Sequence, residues 1–324
     1  MATSKPQDEG FAIPQIDMSK DEESVVAELY AALTTTGFAT LTGHGISKEL
    51  REKAFAASKA FFLLPTEEKL KCAYQGHRSN RGYIGIGKET HETSASSDYK
   101  ETFDINVDES SGFSQPWPSS TGSGPLETFQ QNLIAYFDAM DKLHLTVMRL
   151  ISIGLGLPPN YLCDRCNERH ENLRLLHYPH MPVSNSPSKE PRSRGAIHSD
   201  FGTITLLNQD GVGGLRVQCR NDTWVFVEPV DDAVVVNVGD MLQRWTNGIL
   251  KATLHQVVEV PSKNGETYIP ERYSIAFFCN ANKDTLLECL PPCVSEDRPA
   301  QYEPVNAHDY LTMRLSATID ASSS

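Results

Sequence analysis

Ile197-His198-Ser199-Asp200-Phe201-Gly202-Thr203-Ile204-Thr205-Leu206-Leu207 reads as a β-strand, a tight turn at Gly202 and a second strand rich in β-branched residues. Residues two apart on an extended strand project to one side, so His198 and Asp200 point together. An imidazole nitrogen and a carboxylate at that spacing make two arms of a metal site. A third arm has to come from elsewhere in the chain. His255, in Leu254-His255-Gln256-Val257-Val258, is the candidate, although taken alone it reads better as a core histidine bonded to a neighbour.

The surrounding sequence has the same character. From 172 to 280 almost every segment reads as a short strand: 173–178, 196–200, 203–208, 214–219, 223–227, 233–238, 252–260 and 272–280. Asn221-Asp222 reads as a hairpin turn and Gly239-Asp240 as a corner. Eight short strands at close spacing argue a sandwich or a jelly roll. A jelly roll brings together strands roughly 50–60 residues apart, the separation between His198 and His255. Two histidines and one carboxylate that leave coordination positions open are the donor set of non-haem Fe(II) oxygenases.

The N-terminal part is different. Ile13-Pro14-Gln15-Ile16-Asp17-Met18 is an extended entry, and Ser19 or Asp21 can cap a helix with Val25, Leu29 and Leu33 on one face. A strand at 37–45, a helix at 50–63 and a strand at 100–105 follow. From Pro125 to Gly156 the spacing predicts a long amphipathic helix, with Phe129, Leu133, Phe137, Met140, Leu143, Val147 and Ile151 on one face. His144 on that helix reads as a packed or exposed histidine, not a ligand. Ser79-Asn80-Arg81-Gly82-Tyr83-Ile84-Gly85 lacks the features of a phosphate cradle. Met241–Trp245 suits one helical turn, and a helix is expected from His308 to Leu315.

The expected organisation is therefore α+β. A mainly helical region at 1–165 packs on a jelly-roll core at 166–280 with flanking α-helices. A C-terminal loop and helix occupy 281–324. Loops 76–98 and 180–193 are expected to form the lid.

Composition narrows the function classes. The chain has 324 residues and a net charge of −13, from 42 acidic and 29 basic residues. That charge repels polyanions, so nucleic acid and anionic membrane surfaces are not expected partners. No apolar run approaches a membrane span, and the start lacks a signal peptide's apolar region. The seven cysteines form no framework, and Cys163-Asp164-Arg165-Cys166 is a lone pair of the CxxC type. Ordinary thiols in a reducing, cytoplasmic setting are expected. A small-molecule partner and a monomeric protein are expected.

Two further strands carry arginine. Arg272 and Ser274 share a face, as do Ala276 and Phe278. A guanidinium and a hydroxyl side by side make a clamp for a carboxylate, and an arginine between apolar residues is costly unless an anion meets it. The alternative is an internal salt bridge. On Asn172-Leu173-Arg174-Leu175-Leu176-His177-Tyr178, Arg174, Leu176 and Tyr178 point one way. Arg174 again asks for an anion or a polar ligand. Tyr178 either donates to a ligand near the metal or meets a backbone carbonyl.

His198-Ser199-Asp200, the distal His255 and Arg272-Tyr273-Ser274 resemble the Fe(II)/2-oxoglutarate dioxygenases of the isopenicillin N synthase-like family. Leu173–Pro179, Gly202–Leu207, Val234–Asp240 and Arg272–Asn280 are similar to the fungal thymine dioxygenases within it. The resemblance implies iron on His198, Asp200 and His255. It implies 2-oxoglutarate on Arg272, Ser274 and Tyr178, with O2 as the oxidant and succinate and CO2 as coproducts. It also implies a substrate pocket with Arg174, Leu176, Phe201 and Phe278, Phe278 stacking on the substrate. The thymine enzymes have tyrosine where this chain has Phe201, which leaves the pocket one hydroxyl short. The expected reaction is hydroxylation of an unactivated C–H, of a pyrimidine or another small, secondary-metabolism substrate. Ring closure or desaturation is the alternative outcome. An oxidase that uses no 2-oxoglutarate and a non-enzymatic anion binder are the readings of other classes.

Overall fold

Alternation of inward and outward residues along the strands builds two sheets that face each other across the cavity described below. The computed structural model describes residues 12–76, 79–89, 98–108, 111–119, 124–183, 191–219, 222–260 and 267–320. In chain order the strands are β1 (Gln15–Asp17), β2 (Phe38–Thr42), β3 (Gly82–Ile84), β4 (Glu101–Ile105), β5 (Asn172–Tyr178), β6 (Met181–Pro182), β7 (Ser193–His198) and β8 (Ile204–Gln209). They continue with β9 (Leu215–Gln218), β10 (Trp224–Phe226), β11 (Val234–Val238), β12 (His255–Val258), β13 (Tyr268–Ile269), β14 (Arg272–Phe278), β15 (Leu286–Leu287) and β16 (Val305–Asn306). The helices are α1 (Glu22–Thr35), α2 (Lys48–Phe62), α3 (Thr66–Leu70), α4 (Phe129–Gly154), α5 (Asp240–Trp245) and α6 (Ala307–Asp320).

The larger sheet has the order β1-β2-β11-β8-β14-β5-β4-β3 and the smaller β10-β9-β12-β7. All eight strands expected between 172 and 280 form, and they divide equally between the two sheets. Leu215 and Val217 of the smaller sheet pack on Phe38 and Val235 of the larger. Val257 packs near Leu176, Tyr178 and Ala276. The mainly helical region at 1–165 also supplies β1–β4 to the larger sheet, so residues before and after 165 share one sheet.

The opposite face of the larger sheet carries α1, α2 and α4. Asp21 caps α1, its carboxylate accepting from the Ser24 amide at 2.9 Å, and Ser47 caps α2 by accepting from the Leu50 amide at 3.2 Å. The predicted stripe of α4 is buried throughout. Phe137 meets Phe277 of β14 edge-on, with centroids 4.8 Å apart. Full burial of such a phenylalanine stabilises by about 1.5–3 kcal/mol. α4 begins at Phe129 instead of 125, after a short 3-10 turn over Gly124–Leu126. The C-terminal helix is longer than expected and starts at Ala307.

All seven cysteines are free. Among the described residues no helix is long and apolar enough to cross a membrane. Asp222 takes a left-handed φ of 63°, as a tight turn requires, while Asn221 lies outside the described residues. Of the two expected lid loops, residues 77–78, 90–97 and 184–190 lie outside them too.

Candidate active site

The opening stretch places two ligating groups at the mouth of the smaller sheet. His198 ends β7, and in the antiparallel pairing of β7 with β12 it lies directly across from His255. The two imidazole centroids are 4.4 Å apart. Asp200 follows two residues later, where the chain turns into β8. Its backbone carbonyl accepts from the Asp240 amide at 2.8 Å, and the Gly239 amide donates to the Thr203 carbonyl at 2.8 Å. This turn needs Gly202, because a Cβ there would stand 2.1 Å from the Cys279 carbonyl oxygen.

Asp200 Oδ1 lies 3.6 Å from His198 Nε2 and 3.7 Å from His255 Nε2. The outer atoms are fixed separately. His198 Nδ1 meets the Ala196 carbonyl at 2.8 Å and His255 Nδ1 the Thr253 carbonyl at 3.1 Å. A carbonyl only accepts, so each Nδ1 carries the proton and each Nε2 turns its lone pair inward. Asp200 Oδ2 accepts from Thr205 Oγ1 at 2.6 Å and Asn237 Nδ2 at 2.7 Å, which leaves Oδ1 for the histidine side. Burial works against the Asp200 charge. Positive charge on the His255 and His198 rings, which a bound cation would replace, outweighs it together with the hydrogen bonds from Asn237 and Thr205, and holds the carboxyl below the usual carboxylate range. Two inward nitrogens and one carboxylate oxygen fit a divalent metal that keeps positions open for other ligands.

A cavity of about 500 Å³ opens from this cluster between the sheets, a volume suited to a small molecule. At one end, the β5–β14 register pairs Arg272 with Tyr178 and Ser274 with Leu176. Arg272 is 1% exposed. It donates through Nη1 to Ser274 Oγ at 3.0 Å and through Nη2 to Gln209 Oε1 at 3.2 Å, while its Nε has no partner. Its guanidinium lies 4.9 Å from the Tyr178 ring centroid, and Arg194 stands 5.4 Å from the same ring. Among the described residues Arg194 donates only to the Pro179 and Pro270 carbonyls, at 2.6 and 3.3 Å. Burial pushes its pKa down to about 10, and the nearby Arg272 charge adds to the effect. Two buried cations crowd this pole. Among the described residues Arg272 meets no carboxylate, so the internal salt bridge is not what holds it. A guanidinium with unspent donors beside a hydroxyl fits a carboxylate ligand.

Arg174, Leu176 and Phe278 line the same cavity as expected, but Arg174 is not waiting for an anion. Its Nε and Nη2 bind Asp104 Oδ1 and Oδ2 at 2.7 and 2.9 Å, and its Nη1 binds Glu89 Oε1 at 2.8 Å. Burial acts against its charge, and the Asp104 and Glu89 carboxylates outweigh it, so its pKa lies above the usual arginine range. The sequence did not show this pairing because Asp104 comes from β4, directly across from Arg174 in the register. The guanidinium also stands 5.8 Å from the Phe278 ring centroid.

Phe201 lines the cavity, and the guanidinium of Arg314 on α6 covers its ring at 4.3 Å. Arg314 is held by an ion pair to Asp240. Lys100 also reaches the cavity, with its ammonium between Asp98 and Glu89.

Several of these residues escaped the sequence reading. Asn237 had a signal, a lone amide inside Val-Val-Val-Asn-Val. Thr205 was read only as a β-branched strand residue. Gln209, Lys100, Arg194 and Arg314 carried no local mark of a site.

Comparison with known proteins gives a consistent result. A profile described as the 2OG-Fe(II) oxygenase superfamily matches residues 169–281, and one described as non-haem dioxygenase in morphine synthesis N-terminal matches 13–120. The chain is 34% identical to the 2-oxoglutarate-dependent dioxygenase htyE of Aspergillus rugulosus, covering 93% of this chain and 95% of that one. It is 35% identical to the proline hydroxylase buaE of Petromyces alliaceus, over 92% and 94%. The full-length thymine 7-hydroxylase of Neurospora crassa, solved with alpha-KG, superposes with a TM-score of 0.88 at 36% identity, over 96% of this chain and 98% of that one.

Proposed function

Since the chain belongs to the 2OG-Fe(II) oxygenase superfamily, we propose that His198, Asp200 and His255 hold its Fe(II), and that Arg272, Ser274 and Tyr178 hold 2-oxoglutarate. The two-sheet scaffold is read as the family's jelly roll, with residues 166–280 as its core. As a 2-oxoglutarate-dependent dioxygenase, the enzyme couples oxidative decarboxylation of the cosubstrate, to succinate and CO2, to oxidation of a substrate C–H by O2. The chain's own residues do the positioning. Arg272 and Ser274 fix the distal carboxylate, and Tyr178 packs against Arg272. The apolar walls at Leu176 and Phe278 exclude water from the reacting C–H. The free thiols fit a cytoplasmic setting, and the enzyme is read as a monomer acting on a small molecule.

The substrate is read as uncharged, with a flat or apolar part lying against Phe278 and Phe201. The observation that carries this is the pairing of Arg174 with Asp104 and Glu89, which balances the charge of the guanidinium beside Phe278 that an anionic group could otherwise use. Neutral nucleobases such as thymine, lactams and amides fit, and hydroxylation is the reaction expected. A succinate-release assay with Fe(II) and 2-oxoglutarate tests this across thymine and other neutral nucleobases, cyclic amides, free amino acids and aromatic carboxylates. Substrate-dependent succinate is expected from the neutral set. Preferential turnover of a carboxylate, lost in Arg174→Met, overturns the reading.

A further inference from the structure

Buried polar atoms without partners gather at one place outside the cavity. Asp141 and His144 lie three residues apart on α4, hence on one face of the helix. Glu171 immediately precedes β5, whose first residue, Asn172, lines the cavity. α4 packs on the other side of the larger sheet. His144 and Glu171 are fully buried, with 0% exposure of both side chains. Asp141 Oδ1, both ring nitrogens of His144 and both carboxylate oxygens of Glu171 are buried with no hydrogen-bond partner. His144 Nδ1 comes within 3.2 Å of Glu171 Oε1, but without hydrogen-bond geometry. One ligating atom from each of the three residues falls within 4.8 Å of the others.

The charge there does not balance. Two carboxylates face one imidazole, with Glu171 fully away from water and burial pushing the Asp141 carboxyl up, so keeping both charged there without a further cation is costly. The nearest cation, Arg169, is half-exposed and lies 3.7 Å from the far oxygen of Asp141, while also pairing with Asp138. A trapped water could take up hydrogen bonds but would leave the charge. Orphaned buried groups call for a specific explanation, an ion among them. We propose that Asp141, His144 and Glu171 form a second, structural site for a divalent transition ion, bracing α4 against the start of β5. One imidazole nitrogen and carboxylate oxygens, with His144 and Glu171 fully buried and Asp141 partly so, suit zinc. The second oxygen of Glu171 offers a fourth donor.

The full-length protein tests this when it is loaded with zinc chloride, desalted and assayed for metal per chain. Wild type is expected to retain two equivalents. Asp200→Ala, which removes the catalytic ligand, should retain one, and Glu171→Gln should lose the other while keeping the catalytic equivalent. Crystals of the loaded wild type should give an anomalous zinc peak among the three side chains, and this reading stands if Glu171→Gln fails to fold. An Asp200→Ala protein that retains no zinc overturns the proposal. So does a wild-type map showing only a water, or direct contact between His144 and a protonated Glu171.

Discussion

Two arginines face one cavity from the paired strands β5 and β14, and the protein treats them in opposite ways. Arg174 is met by two carboxylates, Asp104 across the register on β4 and Glu89 beyond it. Arg272 is met by a serine hydroxyl, a glutamine carbonyl oxygen and a tyrosine ring, all neutral. On their own strands the two positions look alike, each a guanidinium on a strand that lines the cavity. What separates them is the strand next door. The first arginine is part of the wall, and the second is an unfinished ion pair. The same rule that makes an unpaired buried charge costly is what supports the proposal that the second binds a carboxylate arriving from solution.

Opposite phenotypes should follow. Arg174→Met leaves Asp104, whose side chain is fully buried, without its partner, and should lower the free energy of unfolding by about 3–5 kcal/mol. Denaturant titration measures this. Adding Asp104→Leu should recover much of the loss, while the 2-oxoglutarate requirement stays near that of wild type. A stable Arg174→Met protein would show that the pair is not structural. Arg272→Leu should do the reverse. Removing one partner of a buried, hydrogen-bonded charge pair costs about 2–5 kcal/mol, so the dissociation constant for 2-oxoglutarate should rise roughly 30-fold to a few thousand-fold. The thermal stabilisation that wild type gains from added 2-oxoglutarate should disappear. The melting temperature without cosubstrate should not fall, because no carboxylate is stranded.

This contrast also marks how far the sequence could be read. His198, Asp200 and His255 came together as expected, since a two-residue spacing on a strand fixes a shared face and the eight strands around them were legible from alternation. The same alternation correctly put Arg174, Leu176 and Tyr178 on one face. It could not say who meets Arg174, because cross-strand partners depend on sheet order, and Asp104 is 70 residues away in sequence. The participation of β1–β4 in the larger sheet was hidden for the same reason. The extended segments at 13–18, 37–45 and 100–105 were legible, but the sheet they join depends on strand pairing, which their own residues do not specify. Gln209 was invisible because a glutamine at a strand end is ordinary until its neighbour is known to be an unpaired arginine.

Gln209 is where the two arginines can be made to converge. Its Oε1 accepts from Arg272 Nη2 at 3.2 Å, and its strand position lies across from Ser274. Gln209→Glu would put a carboxylate where Arg174 already has one, turning Arg272 into a paired arginine. The folded protein without cosubstrate should then hold or gain stability. The dianion would meet a like charge, which at about 6 Å in a medium of effective dielectric about 20 costs about 2–3 kcal/mol. A 2-oxoglutarate dissociation constant raised roughly 30- to 150-fold is expected. Gln209→Leu adds no charge and removes only a neutral hydrogen bond, which contributes about 0.5–1.5 kcal/mol. Its dissociation constant should rise by roughly 2- to 12-fold, read from the same thermal-shift titration. If both substitutions weaken binding equally, the charge on the partner is not what distinguishes a binding arginine from a structural one, and geometry alone has to account for the difference.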